Sequence, residues 1–364
     1  MEMKSPIRVL ITGVSGGSIG EQVYKCLKSG RLQYRIIVSN VSGSSYSIVG
    51  ADGYELLPHA SSRSYIDSLL KVVDKHKIQF LIPGSEPELL VIARSIDKFT
   101  HIGAIPLINS PEVISKCIDK EKTFKILSSK EFDIPPSKVV KEIHELEEIK
   151  FGPPWVIKPI SGSGGSTFVF IAQDNDELRF FSRYLLKHGH IPMIQSYIGR
   201  VDQEFTVGVL SDPGGKVLGT MVINRHITSG LSNKLRVKNH TENDDLGEIL
   251  AISSGITQGC VVNNSRIKKI AESISRNLGS TGPMNIQGRL ENDIFYPFEI
   301  NPRFSGTSPI RTMAGFNEPE QLIQSHLGYS MTRPISIKYG QYSRGIVEFF
   351  DENDCSQCVG EQHF

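Results

Sequence analysis

Short apolar runs alternate with amphipathic stretches along the first third of the chain. Ile7 to Thr12, Tyr34 to Val38 and Gln79 to Ile82 read as buried strands. Gly20 to Lys28, Ser64 to His76 and Glu88 to Lys98 read as helices. That alternation implies a parallel sheet covered by helices. Gly13, Gly16, Gly17 and Gly20 crowd the first strand-to-helix turn. Their spacing is not G-x-G-x-x-G, and the second strand ends Val38-Ser39-Asn40 with no acidic residue for a ribose hydroxyl. This argues against a dinucleotide site. The glycines are expected to permit a tight turn, with backbone N–H groups offered to a substrate anion.

The pattern then changes. A polar helix between Cys117 and Lys130 opens with Asp119-Lys120-Glu121-Lys122, and Ile134-Pro135-Pro136 breaks the chain after it. On its own that charge run reads as a solvated face. Trp155-Val156-Ile157-Lys158-Pro159 is an apolar strand bearing one lysine. It enters the loop Ser161 to Thr167, and a strand resumes over Phe168 to Ile171. A P-loop instead opens a helix and ends in Gly-Lys-Ser/Thr. Bare N–H groups in such a loop can still wrap phosphate oxygens. A flexible hairpin tip is the alternative, and the adjoining Lys158 favours phosphate. Met193 to Gly199 precedes strands at Glu204 to Val209 and Val217 to Ile223. This stretch suits either a hinge offering backbone groups to adenine or an ordinary sheet edge. His240 to Gln258 is polar with few anchors and is expected to be a mobile loop or an insertion. Asp351 to Phe364 is expected to be disordered.

The densest chemistry lies in Phe298 to Thr307. Glu299 and Asn301, two apart on an apolar strand, face the same side. They present hard oxygen donors of the kind Mg²⁺ takes. Arg303 lies two residues further along that face, a planar fork for a phosphoryl group or carboxylate. The combination points to ATP-dependent phosphoryl transfer. For this motif alone, a strand entering a Pro-containing loop remains an equal reading.

Composition removes several other classes. With 364 residues, the chain suits two or three packed units at roughly 150 residues per domain. Lys and Arg number 40 against 39 Asp and Glu, so no basic excess points to nucleic acid or an anionic membrane. No apolar run approaches a membrane span and the N-terminus lacks a signal-peptide core, which gives a cytoplasmic expectation. The five cysteines are scattered. Cys355-x-x-Cys358 has no second pair for zinc and reads as incidental. No histidine sits in a Ser-His-Asp or Cys-His arrangement.

Taken in order, Asp119-Lys120, Lys158 with the glycine loop, Gln195 to Ile198, Glu204-Phe205-Thr206-Val207 and Glu299 to Arg303 resemble the ATP-grasp superfamily. Within it, the chain is most similar to one synthetase unit of the carbamoyl phosphate synthase large subunit, over roughly residues 1 to 330. The resemblance implies an N-terminal parallel α/β pre-ATP-grasp domain (1–112) followed by a two-part ATP-grasp fold, α/β and α+β in class. The first part, 113–190, carries a mobile lid. The second, 191–330, carries the metal site, and 331–364 is an extension and tail. It also implies roles. Lys120 and Lys158 contact ATP phosphates, with Gly164 and Gly165 in the lid loop. Gln195, Tyr197 and Ile198 form the adenine hinge. Glu204 is the ribose carboxylate, at a spacing one residue longer than the family's. Gln287, Glu299 and Asn301 hold Mg²⁺ or Mn²⁺. Arg303 and Lys158 are the catalytic pair. Glu86, Arg225 and Arg311 are candidate substrate contacts.

The implied reaction is ligation of a carboxylate to an amine through an acyl phosphate, releasing ADP and phosphate. Small-molecule acids and amines, amino acids among them, are the implied partners, and a homodimer is compatible. The chain has one ATP-grasp unit and no glutaminase-like segment, so a stand-alone ligase is expected rather than carbamoyl phosphate synthesis. Carboxylate or bicarbonate phosphorylation without ligation, and a non-catalytic nucleotide-binding module, are the alternatives.

Overall fold

The computed structural model describes residues 5–43, 50–162, 166–227, 230–329 and 336–345. Its first sheet contains β1 (Ile7–Ile11), β2 (Tyr34–Asn40), β3 (Gly53–Leu56), β4 (Phe80–Ile82) and β5 (Ile105–Pro106), in the order β3-β2-β1-β4-β5. All pairings are parallel. Val9, Leu10 and Ile11 are fully buried, as expected where helices cover both faces. Two strands escape the sequence pattern for physical reasons. β3 is a half-exposed edge, and β5 is two residues ending in proline. The helix expected at Glu88 to Lys98 is instead two, Glu86–Ala93 and Ile96–His101. The first begins early because Ser85 caps it and Pro87 fits its first turn. It stops where Ser95, at φ −120° and ψ 18°, leaves helical geometry.

The second sheet is antiparallel: β6 (Ser137–Val139), β7 (Trp155–Pro159), β8 (Phe170–Ala172) and β9 (Pro192–Ser196), ordered β6-β9-β7-β8. β8 starts two residues later than expected, because Phe168 adopts a left-handed φ of +58°. The helix Asn175–Lys187, capped by Asp174, buries Leu178 and Leu185 with Trp155, Ile157 and Ile194.

The third sheet carries most of the candidate chemistry. Its strands are β10 (Glu204–Ser211), β11 (Val217–Arg225), β14 (Gly259–Val262), β15 (Pro283–Glu291), β16 (Ile294–Asn301) and β17 (Gly340–Tyr342). Between β11 and β14 the chain forms a separate ribbon of β12 (Asn233–Lys238) and β13 (Ile249–Ser253). The main order is β16-β15-β10-β11-β14-β17, antiparallel throughout. Ile267, Ala271, Ile274 and Leu278 line the buried face of helix Ser265–Leu278 beneath it.

The mobile-loop expectation for 240–258 is corrected here. Ile249-Leu250-Ala251-Ile252 is an apolar run, and as β13 it buries Leu250 and Ala251 completely. The polar stretch before it had masked that signal. The 351–364 tail and Cys355-x-x-Cys358 lie outside the described residues. The first and third sheets share one apolar cluster, in which Val9, Ile11 and Val23 join Leu210, Met221, Ile223, Phe304 and Phe316. No helix among the described residues is long and apolar enough to cross a membrane.

Candidate active site

A cleft between the second and third sheets, with an empty volume of about 640 Å³, is bordered by Lys120, Lys158, Gln195, Glu204, Gln287 and Glu299. Val156 and Val169 form one apolar wall, and Ala251, Ile252 and Ser253 of β13 form another.

Lys158, 5% exposed, lies near the end of β7. Its Nζ donates to Gln195 Oε1 at 2.8 Å and to the Phe298 carbonyl at 2.9 Å. The rings of Phe124 and Phe298 lie 5.7 and 5.9 Å from the same atom. Burial, then the neighbouring Lys120 ammonium, push its pKa down to about 7, with Glu299 opposing. Lys120 is the first residue of helix Lys120–Ser128. Asp119 caps that helix, and the Lys120 backbone N–H is tied to Ile160 O at 3.0 Å.

The carbonyl that holds Lys158 is available because β16 is irregular. Gln287 pairs with Glu299, but Gly288 pairs with Pro297, so Phe298 is an extra residue. Pro297 has no N–H for the ladder, which favours a bulge there. Beyond it the side-chain alternation changes phase. Phe295 and Ile300, five residues apart, both enter the same apolar core. Glu299 and Asn301 consequently share a face with Gln287. Gly288 is needed opposite the bulge, since a Cβ there would lie 2.5 Å from the Phe295 ring.

Gln287 and Glu299 are direct cross-strand partners, and Asn301 pairs with Asn285 one step along the same ladder. Among the described residues no three His, Cys, Asp or Glu side chains gather into a metal cluster. A cation here would rest on one carboxylate and two carboxamides. These are hard oxygen donors suited to Mg²⁺, which keeps further positions for water and phosphate.

Arg303 differs from expectation in place. The strand stops at Asn301, and Arg303 follows in a turn where its N–H meets Asn301 O at 2.9 Å. Its Nη1 donates to Phe304 O at 3.1 Å, while its buried Nε has no partner. Burial lowers its pKa, and the carboxylates of Glu86 and Glu299 counter that. Glu86, half-buried at the head of its helix, therefore bears on Arg303 from the first sheet's side.

Glu204 has an occupation not visible in the sequence. Only 1% exposed, it lies between two arginines. Arg225 Nη1 is 2.9 Å from Oε1, and Arg289 Nε and Nη2 are 3.0 and 2.9 Å from Oε2. Arg225 is the last residue of β11, not part of a following loop, and also donates to Ser253 Oγ and Ser254 O. Both of its Nη atoms are committed to the protein while its buried Nε has no partner, which argues against its reading as a substrate contact. Arg311 is corrected similarly. It is 1% exposed and bound to Glu318 at 3.0 Å and to Asn285 Oδ1 at 2.6 Å.

Arg289 was not anticipated. It sits 4.5 Å from the Tyr197 ring centroid and donates to the carbonyls of Ile198 and Ala251. The Tyr197 hydroxyl exchanges hydrogen bonds with the Ala251 backbone. One arginine thus ties the Tyr197–Ile198 segment to β13 and to Glu204. The available signal was an arginine in mid-strand, between Gly288 and Leu290.

The Gly13 to Gly20 turn does not hold an anion cradle. The Gly17 N–H is taken by Glu21 Oε2 at 2.5 Å, and those of Val14, Ser15 and Ser18 are bonded within the domain. Glu21 would repel an anion there. Gly20 is required because a Cβ would lie 2.6 Å from Thr12 O. Gly164 and Gly165 lie outside the described residues.

Residues 251–344 match the family described as "ATP-grasp in the biosynthetic pathway with Ter operon". Residues 9–108 match the "PylC-like, N-terminal domain". The carbamoyl phosphate synthase large chain of Rubrobacter xylanophilus is 26% identical over 333 residues, which are 86% of this chain and 29% of that one. The biotin carboxylase of Campylobacter jejuni, solved as a β,γ-ATP complex, superposes with TM-score 0.66 at 16% identity, covering 92% of this chain and 74% of that one. The chain resembles ATP-grasp proteins in its C-terminal family match and in its fold. The D-alanine–D-alanine ligase of Bacillus anthracis, solved with ATP, matches this ATP-grasp fold with TM-score 0.57 at 16% identity, over 89% of this chain and 98% of that one. The chain spans less than a third of the length of the curated synthase relatives it matches.

Proposed function

We propose that the protein is an ADP-forming ligase that joins a small carboxylic acid to an amine through an acyl phosphate. The observation that carries this reading is the buried Lys158 facing Glu299 and Gln287 across one cleft, with Arg303 beyond the strand end. A buried ammonium with acceptors opposite suits a metal-bound polyphosphate better than a neutral ligand. The ATP-grasp superfamily is one of ADP-forming ligases that make C–N bonds, which supports the same reaction type.

In this reading Lys120 and Lys158 hold the phosphates, and Tyr197 and Ile198 offer backbone groups to adenine. Glu204 takes the ribose through the acceptor capacity its two arginines leave. Gln287, Glu299 and Asn301 would hold Mg²⁺ or Mn²⁺, which offsets phosphate charge when bound. The substrate carboxylate attacks the γ-phosphorus, ADP leaves, and an amine then displaces phosphate from the acyl carbon. Arg303 orients the acid and counters charge on the transferred group. Glu86, close enough to influence Arg303, is placed to receive the amine as its ammonium.

ADP release, screened over amino acids and small carboxylates, tests the reaction. Hydroxylamine should trap a hydroxamate from the acyl phosphate. Substrate-dependent ADP release without hydroxamate would leave phosphorylation without ligation. Lys158→Ala should weaken nucleotide binding by roughly 1.5–3 kcal/mol while the protein stays folded. Unchanged affinity in calorimetry would refute the phosphate contact.

Lys158 also sets a pH dependence. Its pKa near 7 in the free protein should rise when polyphosphate restores a counter-charge. Binding then takes up a proton above about pH 7, so affinity falls as pH climbs from there. Calorimetry at pH 8 in two buffers of different ionisation enthalpy should reveal that uptake, and Lys158→Met should abolish it. A binding enthalpy independent of buffer in the unsubstituted protein contradicts the linkage.

A further inference from the structure

We propose that Arg344 selects the acid by gripping a second carboxylate, so that the substrate ligated is a short dicarboxylic acid. The inference rests on Arg303 holding the reacting carboxylate, as in the ligase reading above. Arg344 is half-buried and lies two residues beyond β17, the edge strand of the third sheet. The arginines buried deepest around that sheet all have carboxylates. Arg225 and Arg289 share Glu204, and Arg311 is paired with Glu318. Those charges are matched within the fold.

Arg303 and Arg344 depart from that rule. Among the described residues neither meets a carboxylate at ion-pair distance, and each is held by a main-chain carbonyl instead. Arg303 Nη1 donates to Phe304 O at 3.1 Å, and Arg344 Nη1 donates to Gly306 O at 2.9 Å. The two guanidinium groups therefore grip one turn, at carbonyls two residues apart. Cα atoms at that spacing are at most about 7 Å from each other. The carboxylates of a short diacid such as succinate or glutarate are separated on the same scale.

A carbonyl orients a guanidinium but leaves its charge uncompensated. The bond to Gly306 uses one N–H donor, and the rest of the planar fork remains for a carboxylate. Burial lowers the pKa of Arg344, while Glu21 of helix Ile19–Lys28 raises it from the first sheet's side. Glu21 does not neutralise it. Its Oε1 lies 2.6 Å from Lys25 Nζ, and its Oε2 takes the Gly17 N–H. Glu21, Lys25 and Arg344 together thus keep an excess of positive charge. Partial burial, that excess and unused donors suit an anion, and the shared turn sets the anion beside the acid on Arg303.

The test measures ADP release by the full chain with Mg-ATP, using hydroxylamine as a common acceptor. Succinate and glutarate are compared with succinamate and glutaramate, which keep the length but exchange one carboxylate for a neutral amide. The diacids should show KM values at least about tenfold lower, the scale of one charge-assisted hydrogen bond. In Arg344→Met that advantage should collapse to less than about threefold, with Mg-ATP affinity unchanged. Arg344→Lys should keep part of it, since the charge stays and the fork goes. Equal KM values for diacid and half-amide in the unsubstituted protein overturn the inference while leaving the ligase reading standing. So does an equal loss with both kinds of acid in folded Arg344→Met, because Arg344 would then only brace the Gly306 turn. An Arg344-dependent preference for amino acids over the matching plain amines, without one for diacids, overturns it too. If Arg344→Met does not fold, Arg344→Lys and the unsubstituted comparison decide. Failure of every acid to stimulate ADP release would refute the ligase reading, and this inference with it.

Discussion

Glu299→Gln is expected to fold like the parent protein and to release ADP at least about a hundredfold more slowly, the scale of losing one strong electrostatic contact in a transition state. The substitution nearly preserves shape but removes the one carboxylate of the candidate cation set. It also removes the charge that supports the ionised forms of Lys158, Arg225 and Arg303. High Mg²⁺ should recover part of the loss by mass action. Arg303→Lys keeps the charge but loses the planar fork, so it should lower kcat more than it weakens ATP binding. If these residues merely braced the strand end, both variants would melt earlier and keep full activity per folded molecule. Melting temperature, Mg-ATP affinity and ADP release, measured together, separate the two cases.

Glu204→Ala should cost about 3–5 kcal/mol of stability with no nucleotide present, the range for breaking a buried ion pair from one side. It would leave Arg225 and Arg289, 2% and 5% exposed, without the carboxylate between them. It would also loosen Arg289, which ties the Tyr197–Ile198 segment to β13. Urea unfolding of the ligand-free protein provides the measurement. A variant as stable as the parent would mean that Glu204 serves only a ligand. Glu204→Gln should lose less, because it keeps an acceptor and the packed shape.

Much of the fold was legible because its signals are local. The alternation in the first third reads directly as a parallel sheet, and the shared face of Glu299 and Asn301 follows from a period of two. The Glu204 cluster was not legible. It joins β10, β11 and β15 in space, and no sequence spacing announces that two arginines so far along the chain will meet one carboxylate. Arg311 looked like a free cation near a glycine-containing turn because Glu318, its partner, lies on a separate helix. β13 was lost beneath a polar leader. The bulge at Phe298 was signalled by Pro297 alone, and a proline inside a strand also fits a strand that simply ends.

That bulge gives β16 two independent sets of tolerances. Before it, Phe295 answers to the apolar core, while beyond it Glu299 and Asn301 answer to the cleft. Substitutions in the first half would be felt as stability and those in the second as chemistry. A lineage could exchange its core residues without touching its reactive ones, or retune the chemistry over an unaltered core. Pairing the extra residue in register would end that freedom. The sheet could still close, but Glu299, four residues from Phe295, would then point to the face that Phe295 occupies.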